Sequence, residues 1–540
     1  MKEYKRLKDP IYGYIDIPTQ YMNGIIDTAC FQRLRRVIQT SYSPLYSSAV
    51  HNRFVHSIGV FYLGEMASNQ ICLEINKKYN FTFNVNRISE IFLIACLLHD
   101  VGHAPFSHTG EDFYLDEEKN YTEIHKKLIE VVNTEKFAMD VPKVKTKTAA
   151  AHEIMSSIVG LISFPDYFLD DSEREFFARC ITGYKYTEKN EEKDIRNCFI
   201  QLLNSKVIDV DKLDYLIRDA YTTGFDTVNL DFERLLGSLT IVKNAGDYEL
   251  AYNKNAISVI ENVVYAHDAE RKWIQSHPTV IYETYILQHI IGNLCSEIKS
   301  LGKNLFCLES LLDSGQEFKD NLKVSLMSDD DIIYMMKNVF PSELSAEYFR
   351  RIDRRHPVWK SEAEYKAFFL GMTTGGEILQ EFESAMGLTA KYLTRRSEIW
   401  KIDQKLIDII EADLAEIDNK ENLDELSKKV QKKDKEKILK VINCLKQYAD
   451  GKKMACDFII IKSTQFNSGF GKPDFSDTNI SFPMSNGEEK IAKVGQIVSS
   501  LDAKEKDRDD FFYLFYKRND KCDVEIDSQE LCRILMKEFI

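Results

Sequence analysis

The chain has 540 residues, of which 44% are hydrophobic, 29% charged and 11% aromatic, and its formal net charge is -14. This is a globular composition, long enough for a large core in more than one lobe, and its acidic balance speaks against a protein that grips long nucleic acid, because such affinity comes mostly from neutralising phosphates. No apolar run reaches the length of a membrane span and the opening MKEYKRLKDP is too charged for a signal peptide, so a cytoplasmic protein with no membrane partner is expected.

In chain order, residues 23–38 (NGIIDTACFQRLRRVI) and 57–76 (SIGVFYLGEMASNQICLEIN) place apolar side chains at helical spacing. Residues 88–98 (ISEIFLIACLL) are apolar almost all round, which predicts a central buried helix. Residues 151–162 and 195–218 continue the pattern, and 257–300 does so with a break near Pro278. Residues 312–350 are acidic and irregular, as in a surface insertion, and 403–453, rich in Lys, Glu and Asp, read as an exposed helical pair. After 455 come short β-branched or aromatic runs, DFIIIKSTQF, TNISFPM and FFYLFYKR, separated by turn residues, which predict a small mixed α/β lobe. The fold class expected is mainly α. The 11 cysteines are scattered with no CxxC pair at metal spacing and read as reduced thiols.

One stretch carries unusual chemistry. LLHDVGHAPFSH, residues 97–108, sets His99, Asp100, His103 and His108 at the end of the most apolar helix, with Gly102 and Pro105 to bend the chain. A single histidine there reads best as packed core. So many titratable groups in one bend call for a common partner, because buried polar groups are costly unless paired. Upstream, HNRFVHS places His51, Arg53 and His56 together. Downstream, VIDVDKLDYLIRD (207–219) holds Asp209, Asp211, Asp214 and Asp219 in a largely apolar helix, so at least one carboxylate needs a counter-charge or a metal. Two imidazoles and two carboxylates suit a divalent ion such as Fe, Mn, Zn, Ni or Co and leave positions open for water and substrate.

The order His56, His99–Asp100, Asp211 resembles the signature of the HD-domain metallophosphohydrolases. With DPIYGYIDI (9–17), FQRLRRVIQ (31–39), HNRFVHSIGV (51–60), HDVGHAPFSH (99–108), AHE (151–153) and IDVDKLDYLIRD (208–219), the chain resembles the deoxynucleoside triphosphate triphosphohydrolases, in particular those with a sterile-alpha-motif domain ahead of the HD domain, a domain this sequence is read to lack. The resemblance covers residues 5–300 and resumes near 455–520. It implies an HD phosphohydrolase core over 1–300, a helical, partly charged extension or insertion over 301–454 and a C-terminal α/β lobe over 455–540.

The resemblance also implies roles. His56, His99, Asp100 and Asp211 match metal ligands. His103, His108 and His152 match histidines around the α-phosphate, with His108 placed for the leaving 5′ oxygen, Glu153 to orient His152, and Glu111 where the family often has aspartate. Arg53, Lys212 and Tyr215 match phosphate contacts, and Gln39 and Asp219 match residues on the 3′-hydroxyl. Water activated at the metal would attack the α-phosphorus of a dNTP, with Mg on the nucleotide phosphates, to give a deoxynucleoside and inorganic triphosphate. In VVYAHDAERKWIQSHPTV the chain departs from the family: His267 and Gln275 stand where an arginine and a tyrosine are usual, and Lys272 is the candidate replacement cation.

Lys5, Asp27, Gln32 and Arg35 match positions that hold an activating nucleotide in a homo-oligomer. A face that reads a guanine edge and an ordinary structural helix stand there as equal alternatives. Depletion of dNTPs would starve a virus or phage. The competing functions are an HD phosphohydrolase for a ribonucleotide, monophosphate or cyclic nucleotide, and a nucleotide sensor without turnover.

Overall fold

The computed structural model describes residues 3–115, 122–142, 148–205, 208–225, 229–318, 323–369, 376–395, 399–417, 425–464, 477–484, 489–498, 510–517 and 526–539. The chain is mainly helical with small sheets. It divides into one unit of Met1–Lys272, Glu297–Tyr334 and Ser468–Glu505, and a second of Trp273–Ser296, Met335–Asn467 and Lys506–Ile540.

The first unit is built on α1 (Arg53–Lys78), α2 (Val85–Leu98), α3 (Ala151–Ser163), α4 (Asp171–Thr182), α5 (Glu191–Leu203), α6 (Val210–Thr223) and α7 (Ile257–Glu270). The apolar circumference of the second of these decides the arrangement. Ile88, Ile91, Phe92 and every residue from Ile94 to Leu98 are buried, so α2 takes the centre with α1, α3, α4 and α5 around it. Each fully buried large aliphatic side chain contributes about 1.5–3 kcal/mol. Polar side chains fix where the helices start: Asn52, Asn84, Asp170, Asn190 and Asp209 each accept a first-turn N–H of the helix that follows.

Those caps explain two differences from the sequence pattern. Residues 195–218 are not one helix, because Asp209 accepts the Lys212 N–H at 2.7 Å and starts α6 afresh. Residues 23–38 form three short helical turns, Met22–Ile26, Ala29–Gln32 and Arg33–Arg36, the second started by Thr28 accepting the Phe31 N–H. The break near Pro278 is as expected, between α7 with its following turn Arg271–Gln275 and the helix Pro278–Ser300.

An N-terminal hairpin, Tyr4–Asp9 with Gly13–Pro18, opens the unit. A four-stranded sheet is formed by Leu239–Asn244, Asp247–Asn253, Asn479–Pro483 and Glu489–Lys493, the third strand running parallel to the second. The TNISFPM run thus lies in this sheet, whereas Phe458–Thr464 pairs antiparallel with Asp510–Tyr516 in the second unit. There the helices Gly376–Arg395, Gln404–Ile417 and Glu425–Gly451 complete the core. The pair over 403–453 is not an exposed one: Leu406, Ile410, Val441, Ile442 and Leu445 are fully buried along its inner face. The acidic stretch 312–350 is likewise partly core, with Met327, Asp329, Ile332, Met335 and Leu344 buried.

Candidate metal centre and phosphate-facing histidines

Three helix ends meet in the first unit. The Asn52 cap puts Arg53 and His56 in the first turn of α1, His99 and Asp100 follow the last turn of α2, and the Asp209 cap puts Asp211 in the first turn of α6. His56 Nε2 lies 3.0 Å from Asp211 Oδ1 and 3.2 Å from His99 Nε2. Asp100 Oδ2 is 3.6 Å from each of these ring nitrogens, and His99 Nε2 is 3.7 Å from Asp211 Oδ1. The four expected ligands therefore converge on one point.

The surroundings settle what that point accepts. His56 Nδ1 is 2.7 Å from Asp214 Oδ2, and His99 Nδ1 is 2.9 Å from the Cys96 carbonyl oxygen. Both Nδ1 atoms carry the proton, because their partners only accept. Both Nε2 atoms then present lone pairs toward each other and toward two carboxylates, a repulsive arrangement that a divalent cation relieves. Without one, a proton is drawn in. Burial lowers the His56 pKa, but Asp211 and Asp214 outweigh it and push it up to about 9. Asp211, half-buried, is held well below the usual carboxylate range by His56 and His99 against the desolvation that would raise it. The donor set fits a divalent metal ion.

Behind His56 stands a chain of buried groups to which the sequence reading gave no role. Asp214 also accepts Arg218 Nε at 2.8 Å and the Tyr12 hydroxyl at 2.8 Å, and Arg218 Nη1 reaches Asp9 Oδ2 at 3.0 Å. The turn of the N-terminal hairpin thereby braces a candidate metal ligand. Helices α1 and α6 come this close only because residue 59 is glycine: a Cβ there would fall 1.9 Å from Asp214 Oδ1. Asp214 and Arg218, four apart on a helix with apolar neighbours, were the available signal.

The second group is His103, His108 and His152. Among the described residues, these and the set His56, His99 and Asp211 are the two groups of three or more side chains able to share a metal ion, each with ligand atoms within 4.8 Å of one another. His103 and His152 stack with centroids 4.3 Å apart, and His108 meets both edge-on. Close approach of the loop to α3 makes the stack. Gly102 donates to Ser156 Oγ at 2.9 Å, and a Cβ on it would lie 2.3 Å from the Met155 carbonyl carbon. The left-handed positions of the bend fall instead on Phe106 and Ser107, with φ of 57° and 55°. Each such residue costs on the order of 1–3 kcal/mol and persists only where its surroundings hold it.

Glu111 joins two of the histidines, its oxygens lying 2.9 Å from His108 Nδ1 and 3.0 Å from His152 Nδ1. Glu153, expected to orient His152, spends its carboxylate on the Ala150 N–H at 2.6 Å and on Asn204 Nδ2 at 2.7 Å, so it caps α3. Burial lowers the His152 pKa, yet Glu111 pushes it up to about 9, whereas burial and the nearby cations drive His103 well below the usual histidine range. A neutral ring thus stacks on a protonated one. A raised histidine pKa gives stability that is complete below about 6.5 and lost as pH rises through about 9. Glu111→Gln removes the cause, so the alkaline limb of a kcat/KM profile is expected to move down by more than about one pH unit. An unmoved limb would show that Glu111 does not hold this proton.

Arg53 links the first group to the bend that carries the second, donating through Nη1 to Asp100 at 2.8 Å and through Nε to Ser107 Oγ at 2.9 Å. Lys212 Nζ is drawn onto Asp209 at 2.6 Å and the Ser205 carbonyl at 2.7 Å. Tyr215 lies one turn beyond Asp211, its hydroxyl kept protonated by burial. Asp219 Oδ1 is 2.7 Å from His51 Nε2, a partner the sequence reading had noted only as near Arg53. Gln39 is held by its N–H on the His51 carbonyl, and its side-chain Oε1 is buried with no hydrogen-bond partner. Lys272 is exposed, in the turn Arg271–Gln275. Away from the centre, Lys5 pairs with Asp27 at 3.7 Å and with Asn23 at 2.7 Å, while Arg35 donates to Gln32 at 2.8 Å and lies over the Phe54 ring.

Residues 53–201 match the HD domain family. The chain is 28% identical over 261 residues to an uncharacterized protein of Mycoplasma genitalium, a match covering 47% of this chain and 52% of that one. It is 31% identical over 245 residues to the deoxynucleoside triphosphate triphosphohydrolase SAMHD1 homolog of Dictyostelium discoideum, covering 44% and 39%. The match spans about half the length of the curated relatives that head the comparison. In fold, the chain is similar to a hypothetical protein from Aquifex aeolicus, with a TM-score of 0.57 at 16% identity over 99% of this chain and 100% of that one. Among the described residues, no helix is long and apolar enough to cross a membrane. This chain carries an HD domain, the fold of a metal-dependent phosphohydrolase superfamily, and its candidate metal ligands lie in and just beyond that domain.

Proposed function

We propose that the protein hydrolyses deoxynucleoside triphosphates to a deoxynucleoside and inorganic triphosphate. The observation that carries this reading is Arg53, whose guanidinium holds both Asp100 of the four-ligand point and the hydroxyl of Ser107, the residue before His108. A divalent cation at the ligand point supplies an acidified water and neutralises phosphate charge. The chain's own groups do the rest. Arg53 and the protonated His152 offer positive charge to the α-phosphate, and Tyr215 offers a hydroxyl donor. His108, 68% exposed and steadied by Glu111, gives a proton to the departing 5′ oxygen. Asp219 or the unpartnered Gln39 oxygen accepts from the sugar 3′-hydroxyl. Lys212 would leave Asp209 to meet the phosphates, and Mg would accompany them.

The similarity to deoxynucleoside triphosphate triphosphohydrolases of Dictyostelium discoideum and Danio rerio supports the same substrate class. The proposal includes a homo-oligomer activated by nucleotide at Lys5, Asp27, Gln32 and Arg35, acting in the cytoplasm, with dNTP depletion as an antiviral outcome. A second reading, an HD phosphohydrolase for another nucleotide, is favoured by His267 and Gln275 standing where the family usually has arginine and tyrosine. Incubation with each dNTP and NTP, singly and in pairs, with Mg or Mn separates the two. Triphosphate release from dNTPs alone supports the proposal; monophosphate or pyrophosphate as the product rejects it.

A further inference from the structure

Asp329 belongs to the stretch whose sequence reads as an acidic surface insertion, yet it is 4% exposed. One carboxylate oxygen accepts the Phe106 N–H at 2.6 Å and the other accepts the Ile38 N–H at 2.9 Å. Phe106 is the first left-handed residue of the bend between His103 and His108, and Ile38 precedes Gln39. The Ile38 carbonyl oxygen accepts from Ser107 Oγ, the same hydroxyl that Arg53 Nε reaches. Next to it, buried Arg33 donates to the carbonyls of Met327 at 2.6 Å, Val101 at 3.0 Å and His103 at 2.7 Å. Segments 38–39, 101–107 and 327–329 are thus fastened by one carboxylate and one guanidinium.

We propose that Asp329 is a positioning residue: by holding the Phe106 and Ile38 amides at once, it locks the strained bend that aims His103 and His108 and fixes it to the segment that carries Gln39. This rests on the reading of the site given above. The geometry gives the reason for a carboxylate. Two N–H donors arrive on two different oxygens, and only the ionised form accepts on both without presenting a hydrogen of its own. An amide or a protonated carboxyl would turn a donor toward one of the two amides.

Burial pushes the Asp329 pKa up to about 7, against the two backbone N–H groups and Arg33, which lower it. Asp330 beside it raises it further, and among the charged or titratable groups of the elements around it Arg36 pairs with Asp330 at 3.6 Å, Asp331 accepts the Ser328 N–H and the His103 carbonyl is held by Arg33. The double clamp is complete above pH 7 and loses one amide below it.

The test is amide hydrogen exchange on the full chain with bound metal, comparing wild type with Asp329→Asn. Exchange at Ile38 or Phe106 is expected to rise roughly tenfold or more in the variant, with α5 unchanged. Metal content should stay at the wild-type level, while kcat for dNTP falls roughly tenfold or more and KM moves less than about threefold. In wild type, after correction for intrinsic chemistry, protection at the two amides should weaken from pH 8 to pH 6, and in the variant it should not. This arm on wild type decides the matter if the variant does not fold. Unchanged exchange at both amides, or faster exchange with unchanged kcat, overturns the proposal. If wild type turns over no dNTP, the substrate reading falls, while the exchange arm still judges the clamp.

Discussion

Asp211→Ala is expected to strip the bound divalent metal and to lower dNTP turnover by a factor of about a thousand, equivalent to about 4 kcal/mol in the barrier. Asp211 is the one ligand contributed by α6, and its Oδ1 closes the group on His56 at 3.0 Å and on His99 at 3.7 Å. Without it, two imidazoles and Asp100 remain, with Asp100 already committed to Arg53 at 2.8 Å. Metal analysis after dialysis and steady-state rates check this together. Loss of metal with full turnover would remove the metal from the reaction, and retained metal would remove Asp211 from the ligand set. The fold itself should survive, because Asp211 is partly exposed at a helix start and its truncation opens no cavity.

Arg218→Ala has the opposite character, with its largest effect on the fold. Arg218 is 2% exposed and serves two buried carboxylates, Asp214 and Asp9. Breaking a buried ion pair from one side leaves uncompensated charge, at a cost of about 3–5 kcal/mol. A fall of about 3–5 °C in Tm is expected for a protein of this size. The pH dependence has a definite sign. Asp214 is buried, which raises its pKa, but Arg218 and His56 hold it down at about 2. A depressed carboxylate stabilises the fold above its unfolded pKa, and this is lost as pH falls through the folded value. The deficit of Arg218→Ala should therefore be full near neutrality and shrink as pH falls from about 4 toward 2. A deficit independent of pH would show that Arg218 acts by packing alone. Since Asp214 steadies His56, metal affinity should also drop, by about 10–100-fold.

How far the sequence was legible follows from the kind of signal. The buried helix over 88–98 was readable because apolar residues all round leave one solution, the centre of the unit. The cost of burying histidine and aspartate in apolar helices marked the stretches that hold His56, His99, Asp100 and Asp211, while the choice of these four as candidate ligands came from the resemblance to the HD signature. What escaped depends on partners distant in the chain. Arg218, Tyr12 and Asp9 look like ordinary surface polarity until the hairpin turn is laid against α6, and only then does Asp214 stand apart from the other aspartates of that helix. Glu111 and Glu153 illustrate the same limit. Both lie near His152, and only coordinates show that Glu111 lies 3.0 Å from its ring nitrogen while Glu153 caps its helix. Gly102 was legible as a glycine in a bend, but its reason is close approach to α3, and Phe106 and Ser107 carry the left-handed backbone. Asp329 was hidden by its company, since Asp330 and Asp331 beside it make the stretch read as solvated.

The central claim is that water attacks the α-phosphorus and the bond to the 5′ oxygen breaks. Turnover of a dNTP in 18O-labelled water, with mass analysis of both products, tests it most directly. The account predicts one labelled oxygen in the inorganic triphosphate and none in the deoxynucleoside. Label in the deoxynucleoside, or label in orthophosphate or pyrophosphate with no triphosphate formed, would contradict it.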